Sequence, residues 1–466
     1  MNEEYYIPDT NLFITDPERA LTSWKPKEGS NKKNILVIPI PVLTELDKHK
    51  KIKDESGYAA RESARAIKRL TEDGGNLSQG IEKNGITYIS LNYNESELPK
   101  YVGYETNVDS YLIRLALKLK QEGKKVEIVT QDTTPYIVAN SLGITVSDWK
   151  DAKAVNSIDQ IYKGWDKLNL EEKLFTELTK RDNFIELNQF LDIIGYDKPV
   201  LPNMYFNIRN KDNNGAKLVF YANPFKSKSE GLVMENISNI HYDLKKKEFT
   251  RIPSLNTEQL MALHALSNEN INTVFMLGRA GTGKTFLAID SGYNQTYSEG
   301  SIQRYDKVLI TRPVFEIGKE HGFLPGSIGE KYAPWAQPII DNLVEIVHDQ
   351  EEFRRLEEQK FTGIDSQIEI APLAYARGTS KKNIFWIVDE AQNTTIHEMR
   401  TIGTRPAGNS KIVITGDPNQ IDVPYINSTS CGLVYFNEQL KNYKNTATIF
   451  LDKVKRGPIA EMFSNH

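Results

Sequence analysis

The sequence predicts an α/β protein in which two parallel-sheet domains flank a small β-rich connector. Three observations lead there. Across residues 1–150, short β-rich runs alternate with stretches of helical spacing, the pattern of a parallel α/β layer. Across 251–466 the alternation returns, with near-continuous apolar runs bounded by turns, which suits strands buried on both faces. Between them, 151–250 is polar and turn-rich and carries only short apolar patches. A chain of 466 residues fits the same division, at about 150 residues per domain.

In the first region Tyr5–Asp9, Ile35–Pro39, Ile86–Leu91 and Val126–Thr130 read as strands. Val42–His49, Ser56–Leu70 and Val108–Glu122 carry helical spacing; in the last of these Leu112, Leu115, Ala116 and Leu119 share one face. In the connector a short helix over Leu170–Lys180 precedes the polar stretch Asn210–Asn214. Leu218–Tyr221, Glu230–Met234 and His241–Leu244 then suggest small antiparallel strands. In the last region the strands are expected at Val274–Leu277, Val308–Thr311, Ile368–Ile370, Ile384–Val388, Ile412–Thr415 and Thr446–Leu451. Asp349–Lys360, dense in charge of both signs, reads as a solvated helix face.

Composition excludes several classes. An apolar share of 39% supports more than one core and argues against wholesale disorder. A net charge of −4 is no polybasic coat, although a local groove can be basic on an acidic protein. The single cysteine, Cys431, rules out a disulfide framework and multi-cysteine zinc sites, and reads as a small buried hydrophobe in a reducing compartment. The acidic start MNEEYYIPDT lacks an apolar run, so no signal peptide is expected. Without a run of about 18 apolar residues, no membrane span is expected, and the cytoplasm is the expected location.

The strongest motif is Gly278-Arg279-Ala280-Gly281-Thr282-Gly283-Lys284-Thr285, which fits GxxxxGK[ST] at every fixed position between an expected strand and an expected helix. The glycines let backbone N–H groups wrap a phosphate. Lys284 would reach the β and γ phosphates of ATP and Thr285 would bind Mg²⁺. Downstream, an apolar strand runs into Asp389-Glu390-Ala391-Gln392, where Asp389 would enter the metal shell and Glu390 would polarise the attacking water. A third strand ends in Gly416-Asp417-Pro418-Asn419-Gln420. Gln420 there could sense the γ-phosphate, or the segment could be an ordinary turn. Gln259, in Leu255-Asn256-Thr257-Glu258-Gln259, could read the adenine edge or lie on the surface.

In this order the upstream glutamine, the P-loop, Thr311-Arg312-Pro313, DEAQ and GDxxQ resemble the superfamily 1 helicase core. Gly322-Phe323-Leu324-Pro325-Gly326, Ala371-Pro372-Leu373-Ala374-Tyr375-Ala376-Arg377-Gly378 and Asp389–Thr395 narrow this to a resemblance to the PhoH family of ATPases over about 255–460. The resemblance implies that Arg312 contacts the nucleic-acid backbone or couples it to the site, with Arg405 and Arg456 as γ-phosphate arginines. Gly457 stands where the family pattern would put His. Only one ATPase lobe fits in 251–466, so an oligomer with an arginine supplied in trans is expected. The resemblance points to a hexameric ring.

Four acids stand at expected strand ends and helix starts: Asp9, Glu45, Asp109 and Asp132. On a parallel sheet such positions converge at the C-terminal edge, where these folds place their sites. They could hold a metal, or serve as N-caps and solvated turns, Asp109 being an acceptable N-cap. DTN, PVLTELDK, NVDSYLIRLAL and VTQD at these intervals resemble a PIN-domain ribonuclease over about 1–150. That resemblance implies two-metal hydrolysis with Mg²⁺ or Mn²⁺. Asp9 and Asp109 would be ligands and catalytic, Glu45 a ligand, Asp132 outer-shell, and Thr10 and Thr130 could hold phosphate or water. Gln131 replaces an expected Asn.

The run Lys48-His49-Lys50-Lys51-Ile52-Lys53, with Arg61 and Arg65, is either an edge facing RNA or a solvated loop, and Lys245-Lys246-Lys247 has the same two readings. Tyr205, Phe206, Phe220 and Tyr221 would stack bases if exposed and form core otherwise. The lone His321 and His397 read as structural. The expected function is an ATP-dependent RNA helicase or remodeller joined to a metal-dependent endoribonuclease acting on single strands. The alternative is an ATP-switched RNA-binding module whose front domain does not cut.

Overall fold

The computed structural model describes residues 2–453 except 16, 18, 27–31, 53–54, 73, 148–153, 156, 213–214, 227–230, 240–252, 298–302, 314–327, 348–366, 374–380 and 424–425. The chain divides into two compact units, Met1–Ala154 and Val155–His466.

The first unit is a six-stranded sheet of β1 (Asn2–Pro8), β2 (Lys32–Val37), β3 (Ile81–Lys83), β4 (Ile86–Ile89), β5 (Lys125–Val129) and β6 (Thr145–Ser147), in the order β3-β4-β2-β1-β5-β6. All neighbours are parallel except the β3–β4 hairpin. Central β1 buries Tyr5 and Ile7, and its Glu4 accepts from Lys32 at 2.9 Å and from Lys125, one on each flanking strand. Those two ammonium groups hold the Glu4 carboxyl down at about 2. Each strand leaves the ladder one or two residues earlier than its apolar pattern extends. The polar residues that follow therefore lie in loops at one sheet edge.

Three helices match the expected spacing, at Ile40–His49, Glu55–Thr71 and Val108–Gln121. The last buries Leu112, Leu115, Ala116 and Leu119. Its N-cap is Asn107, whose side chain accepts from Ser110 N at 2.8 Å, so Asp109 falls in the first turn and is not spent on capping.

The second unit contains two main sheets. The smaller comprises β7 (Trp165–Leu170), β8 (Phe184–Glu186), β9 (Tyr205–Asn210), β10 (Lys217–Asn223) and β11 (Val233–Asn236), in the order β7-β9-β10-β11-β8. It is antiparallel except for the parallel β7–β9 pair. The expected helix at Leu170–Lys180 is found at Glu172–Thr179. Tyr205, Phe206, Phe220 and Tyr221 are each 0% exposed, so all four are core and none can stack a base. Tyr205 and Tyr221 belong to the cluster that reaches Met261 and Leu266 of helix Thr257–Ser267, and the Tyr205 hydroxyl meets His264 Nδ1 at 2.9 Å. The patch at His241–Leu244 lies outside the described residues.

The larger sheet is all-parallel: β12 (Thr273–Gly278), β13 (Lys307–Arg312), β14 (Ile368–Pro372), β16 (Ile384–Val388), β18 (Lys411–Gly416) and β19 (Thr446–Leu451), in the order β14-β13-β16-β18-β12-β19. Two-residue strands β15 (Lys381–Lys382) and β17 (Pro406–Ala407) pair separately. All six expected strands of this region are present, and β16, β18 and β19 are buried along their length. The smaller sheet seals against β19: Trp165 Nε1 donates to Phe450 O at 2.8 Å and Phe450 N to Lys163 O at 3.0 Å. Cys431 is buried, as expected, and burial pushes its thiol up to about 12. Asp349–Lys360 lies outside the described residues. Among the described residues no helix is long and apolar enough to cross a membrane.

Gly164 joins these two sheets at φ +77°, and a Cβ there would stand 1.6 Å from Thr448 O. Gly164→Ala is expected to lower stability by roughly 3 kcal/mol or more, since neither backbone can yield cheaply. Gly195→Ala, at φ +61° with open space around it, should cost only about 1 kcal/mol. Denaturant melts of the two variants check the contrast.

Candidate active sites

The phosphate cradle forms where β12 turns into helix Lys284–Tyr297. Gly278 sits at φ +141°, and a Cβ there would meet Leu451 O at 1.9 Å, so only glycine lets β12 pass β19 and turn. Lys284 Nζ donates to Gly278 O at 2.6 Å and Arg279 O at 2.8 Å, which holds the ammonium within the loop it would serve. The Thr282 hydroxyl donates to Arg279 O at 2.9 Å and braces the same turn.

Asp389 follows the buried strand β16, and Thr285 Oγ1 and Thr415 Oγ1 both donate to its Oδ1, at 2.7 and 2.6 Å. Burial raises the Asp389 carboxyl, the neighbouring Glu390 charge adds to this, and Arg312 and the two hydroxyls oppose it. Glu390 stands at φ +53°. Arg312 Nη2 donates to its Oε1 at 2.7 Å and Gln392 Nε2 to its Oε2 at 2.6 Å. Gln392 is fully buried; it also donates to Gln420 O at 2.9 Å and accepts from Asp417 N at 3.1 Å. Asp417 Oδ2 in turn accepts from Ala280 N at 3.1 Å, closing a ring of contacts from the P-loop through β18 to β16.

A cleft of about 470 Å³ opens over this ring. Gln259, Lys284, Thr285, Asp389, Glu390 and Gln420 line it, with Ala280, Gly281, Gly283 and Arg312. Gln259 is 4% exposed; its Oε1 accepts from Leu255 N at 2.8 Å and its Nε2 donates to Thr282 O at 3.2 Å, tying its helix to the P-loop. Gly278, Arg279 and Thr282 are not part of the lining, and Arg279 points toward Asp452, 3.8 Å away. Arg405 does not line the cleft either, and its Nε is buried without a partner among the described residues. Arg456 lies outside the described residues. Sequence reasoning passed over Thr415, Asp417 and the bridging role of Gln392. It also missed the far wall, where helix Ile328–Val347 presents Pro338, Ile339, Asn342 and Glu345. Two internal prolines, Pro334 and Pro338, hid that helix.

In the first unit Asp9 is 3% exposed at the end of central strand β1, with its N–H on Val129 O at 2.9 Å. Thr130 Oγ1 donates to Asp9 Oδ2 at 2.9 Å and Thr10 Oγ1 to Glu45 Oε2 at 2.5 Å, so both threonines orient carboxylates. Asn11 Nδ2 donates to Asp132 Oδ2 at 2.9 Å; Asp132 occupies an N-cap position but makes no capping bond. Burial pushes Asp9 up to about 7, helped by the charges of Asp109 and Asp132 and opposed by Thr130. Asp109 is raised by burial and by Asp132 and Glu45. None of the four pairs with Lys or Arg among the described residues. Nor, among them, do three Asp, Glu, His or Cys gather as a ready cation cage.

Lys48 and Lys51 are exposed at the end of their helix, Lys50 pairs with Asp47 at 3.0 Å, and Arg61 Nη1 braces the turn through Lys50 O at 2.7 Å. Arg65 pairs with Glu62 at 2.6 Å. Lys53, Lys245–Lys247 and His321 lie outside the described residues, and His397 is half-buried on helix Ile396–Gly403.

The two regions that hold these sites each match a known family. Residues 251–465 match the family described as PhoH-like protein and residues 6–150 match the PIN domain. Protein PhoH2 of Bacillus subtilis is 32% identical over 465 residues, covering 98% of this chain and 98% of that protein. Protein PhoH2 of Thermobispora bispora is 29% identical over 464 residues, covering 98% and 95%. Protein PhoH2 of Mycolicibacterium smegmatis is 27% identical over 465 residues, covering 98% and 95%. The chain therefore belongs to the PhoH2 family, with a nuclease-like PIN domain at its front and a P-loop PhoH ATPase domain behind it.

Proposed function

We propose that the protein is an ATP-dependent RNA helicase or remodeller coupled to an endoribonuclease that cuts single-stranded RNA with a divalent metal. The ATPase half is supported by the ring from Ala280 through Asp417 and Gln392 to Glu390, which ties phosphate cradle, γ-phosphate side and base into one unit. Lys284 would bind the outer phosphates, Thr285 and Asp389 would share Mg²⁺, and Glu390 would orient the attacking water. Among the described residues there is one P-loop sheet, so a second copy is proposed to supply the moving surface, with Arg405 or Arg456 acting in trans. A hexameric ring satisfies this requirement.

The observation that carries the nuclease half is Asp9: a buried carboxyl facing two other acids with no cation partner among the described residues. All-oxygen donors and uncompensated charge suit Mg²⁺ or Mn²⁺. Mg²⁺ keeps several waters and takes one or two carboxylates plus substrate phosphates, which a few acids at a strand end can supply. Such an ion would lower the pKa of a water and steady the leaving oxygen. Asp9 and Asp109 would hold it, Thr130 and Thr10 would keep Asp9 and Glu45 turned inward, and Asn11 would hold Asp132. The second reading is an ATP-switched RNA-binding module with a non-cutting PIN domain.

An RNA duplex with a single-stranded tail, followed for strand release and cleavage with and without ATP, separates the two readings. Lys284→Ala should lose ATP turnover and unwinding by about 100-fold or more while cleavage persists. Asp9→Asn should lose cleavage by about 100-fold and keep unwinding, and EDTA with ATP-independent substrates should mimic it. If neither wild type nor Asp9→Asn cuts RNA, the front domain is a binding module; cleavage that persists unchanged in Asp9→Asn would take the cutting site away from Asp9.

The raised Asp9 carboxyl also has a stability consequence. Its folded pKa, about 7, lies above the unfolded value, so the folded state holds the extra proton. Stability is therefore full at acid pH and falls as pH rises from about 4 through about 7. Melts in EDTA should find Asp9→Asn more stable than wild type by roughly 1–3 kcal/mol near pH 8, a gain that vanishes near pH 4.

A further inference from the structure

We infer that Arg312 is a latch on Glu390, released when an incoming phosphate takes its guanidinium; this rests on the ATPase reading above and adds its regulation. Glu390 is held at φ +53°, a left-handed backbone that a side-chain-bearing residue keeps only when its surroundings enforce it. Its carboxylate is held by a pair of donors, one on each oxygen: Arg312 at 2.7 Å and Gln392 at 2.6 Å. A group that must draw on a water's proton needs a carboxylate oxygen turned to that water, and here a donor occupies each of the two.

The two donors differ in freedom. Gln392 is 0% exposed and is pinned to Gln420 O and Asp417 N, so withdrawing it would break both bonds and strand buried polar groups. The Arg312 side chain is 19% exposed and lines the cleft, and its other ion-pair neighbour among the described residues, Asp389 Oδ2, is 3.8 Å away. It can therefore be drawn off. A guanidinium exchanges carboxylate for phosphate readily, because both accept its planar fork.

Two sources offer that phosphate: the γ-phosphate of the bound nucleotide and the nucleic-acid backbone. Arg312 ends β13, which β16 and β18 separate from the P-loop strand, so it reaches Glu390 from the side away from β12. That placement favours the nucleic acid. In its absence the base is restrained; when its backbone takes Arg312, Glu390 is left with Gln392 alone and turns to the water.

The test is steady-state ATP turnover by the full chain in Mg²⁺, with and without a single-stranded oligoribonucleotide, in wild type, Arg312→Gln, Arg312→Lys and, as the inactive reference, Glu390→Gln. Arg312→Gln should raise the RNA-free kcat about tenfold, with KM for ATP unchanged, and RNA should stimulate it no further. Arg312→Lys keeps the charge without the fork and should fall between the two, with part of its RNA response intact. An RNA-free kcat at or below the wild-type value in Arg312→Gln, with the variant still cooperatively folded, overturns the latch. If Arg312→Gln fails to fold, the same criterion applies to Arg312→Lys. A raised kcat in a wild-type background that RNA does not stimulate keeps the latch, names the γ-phosphate as its release, and overturns the RNA reading instead.

Discussion

Two threonine hydroxyls on one oxygen of Asp389 hold the ATPase centre together. Thr285 comes from the helix after β12, Thr415 from β18, and Asp389 from the end of β16. Three separate crossovers of a parallel sheet thus end on a single carboxylate. A buried acid would ordinarily be a liability, and its burial does raise its pKa. Here two neutral donors and a nearby guanidinium make the position tolerable and leave the other oxygen directed at the cleft. Glu390, Gln392 and Gln420 are then placed by chain connectivity from those same strand ends.

The first unit solves a similar problem with less neutralisation. Its acids also lie just beyond strand ends, but their donors are Thr130, Thr10 and Asn11, none of which carries charge. Charge compensation is spent instead lower on the sheet, where Glu4 spans Lys32 and Lys125. The two sites therefore differ in electrostatic state: one carries its own cation, Arg312, and the other has none among the described residues.

How much could be read in advance follows from these arrangements. The six strands of the larger sheet were legible because strands buried on both faces leave uninterrupted apolar runs such as Ile384–Val388. In the smaller sheet β7 was not, because Asp166, Lys167 and Asn169 break its pattern, and three-residue β8 is too short to show one. Helix Ile328–Val347 was hidden by its prolines. The P-loop could be found because its chemistry is local in sequence. Gln392 as a bridge could not, since its meaning depends on β16 and β18 lying side by side. Asn107 and Asp109 are equally good caps by type, and only the bond to Ser110 distinguishes them.

The seam between Lys163–Trp165 and Phe450 has a further consequence. β19 ends its sheet, and an end strand presents unpaired N–H and C=O groups that can recruit another chain. Here part of that border is capped by the chain's own upstream segment, with Gly164 close against Thr448 and Trp165 bonded to Phe450. A fragment begun near residue 251 would keep the whole nucleotide cleft yet uncover this border, inviting intermolecular strand pairing. The smaller sheet thus also covers a border of the ATPase sheet, and the compact unit that contains both starts at Val155.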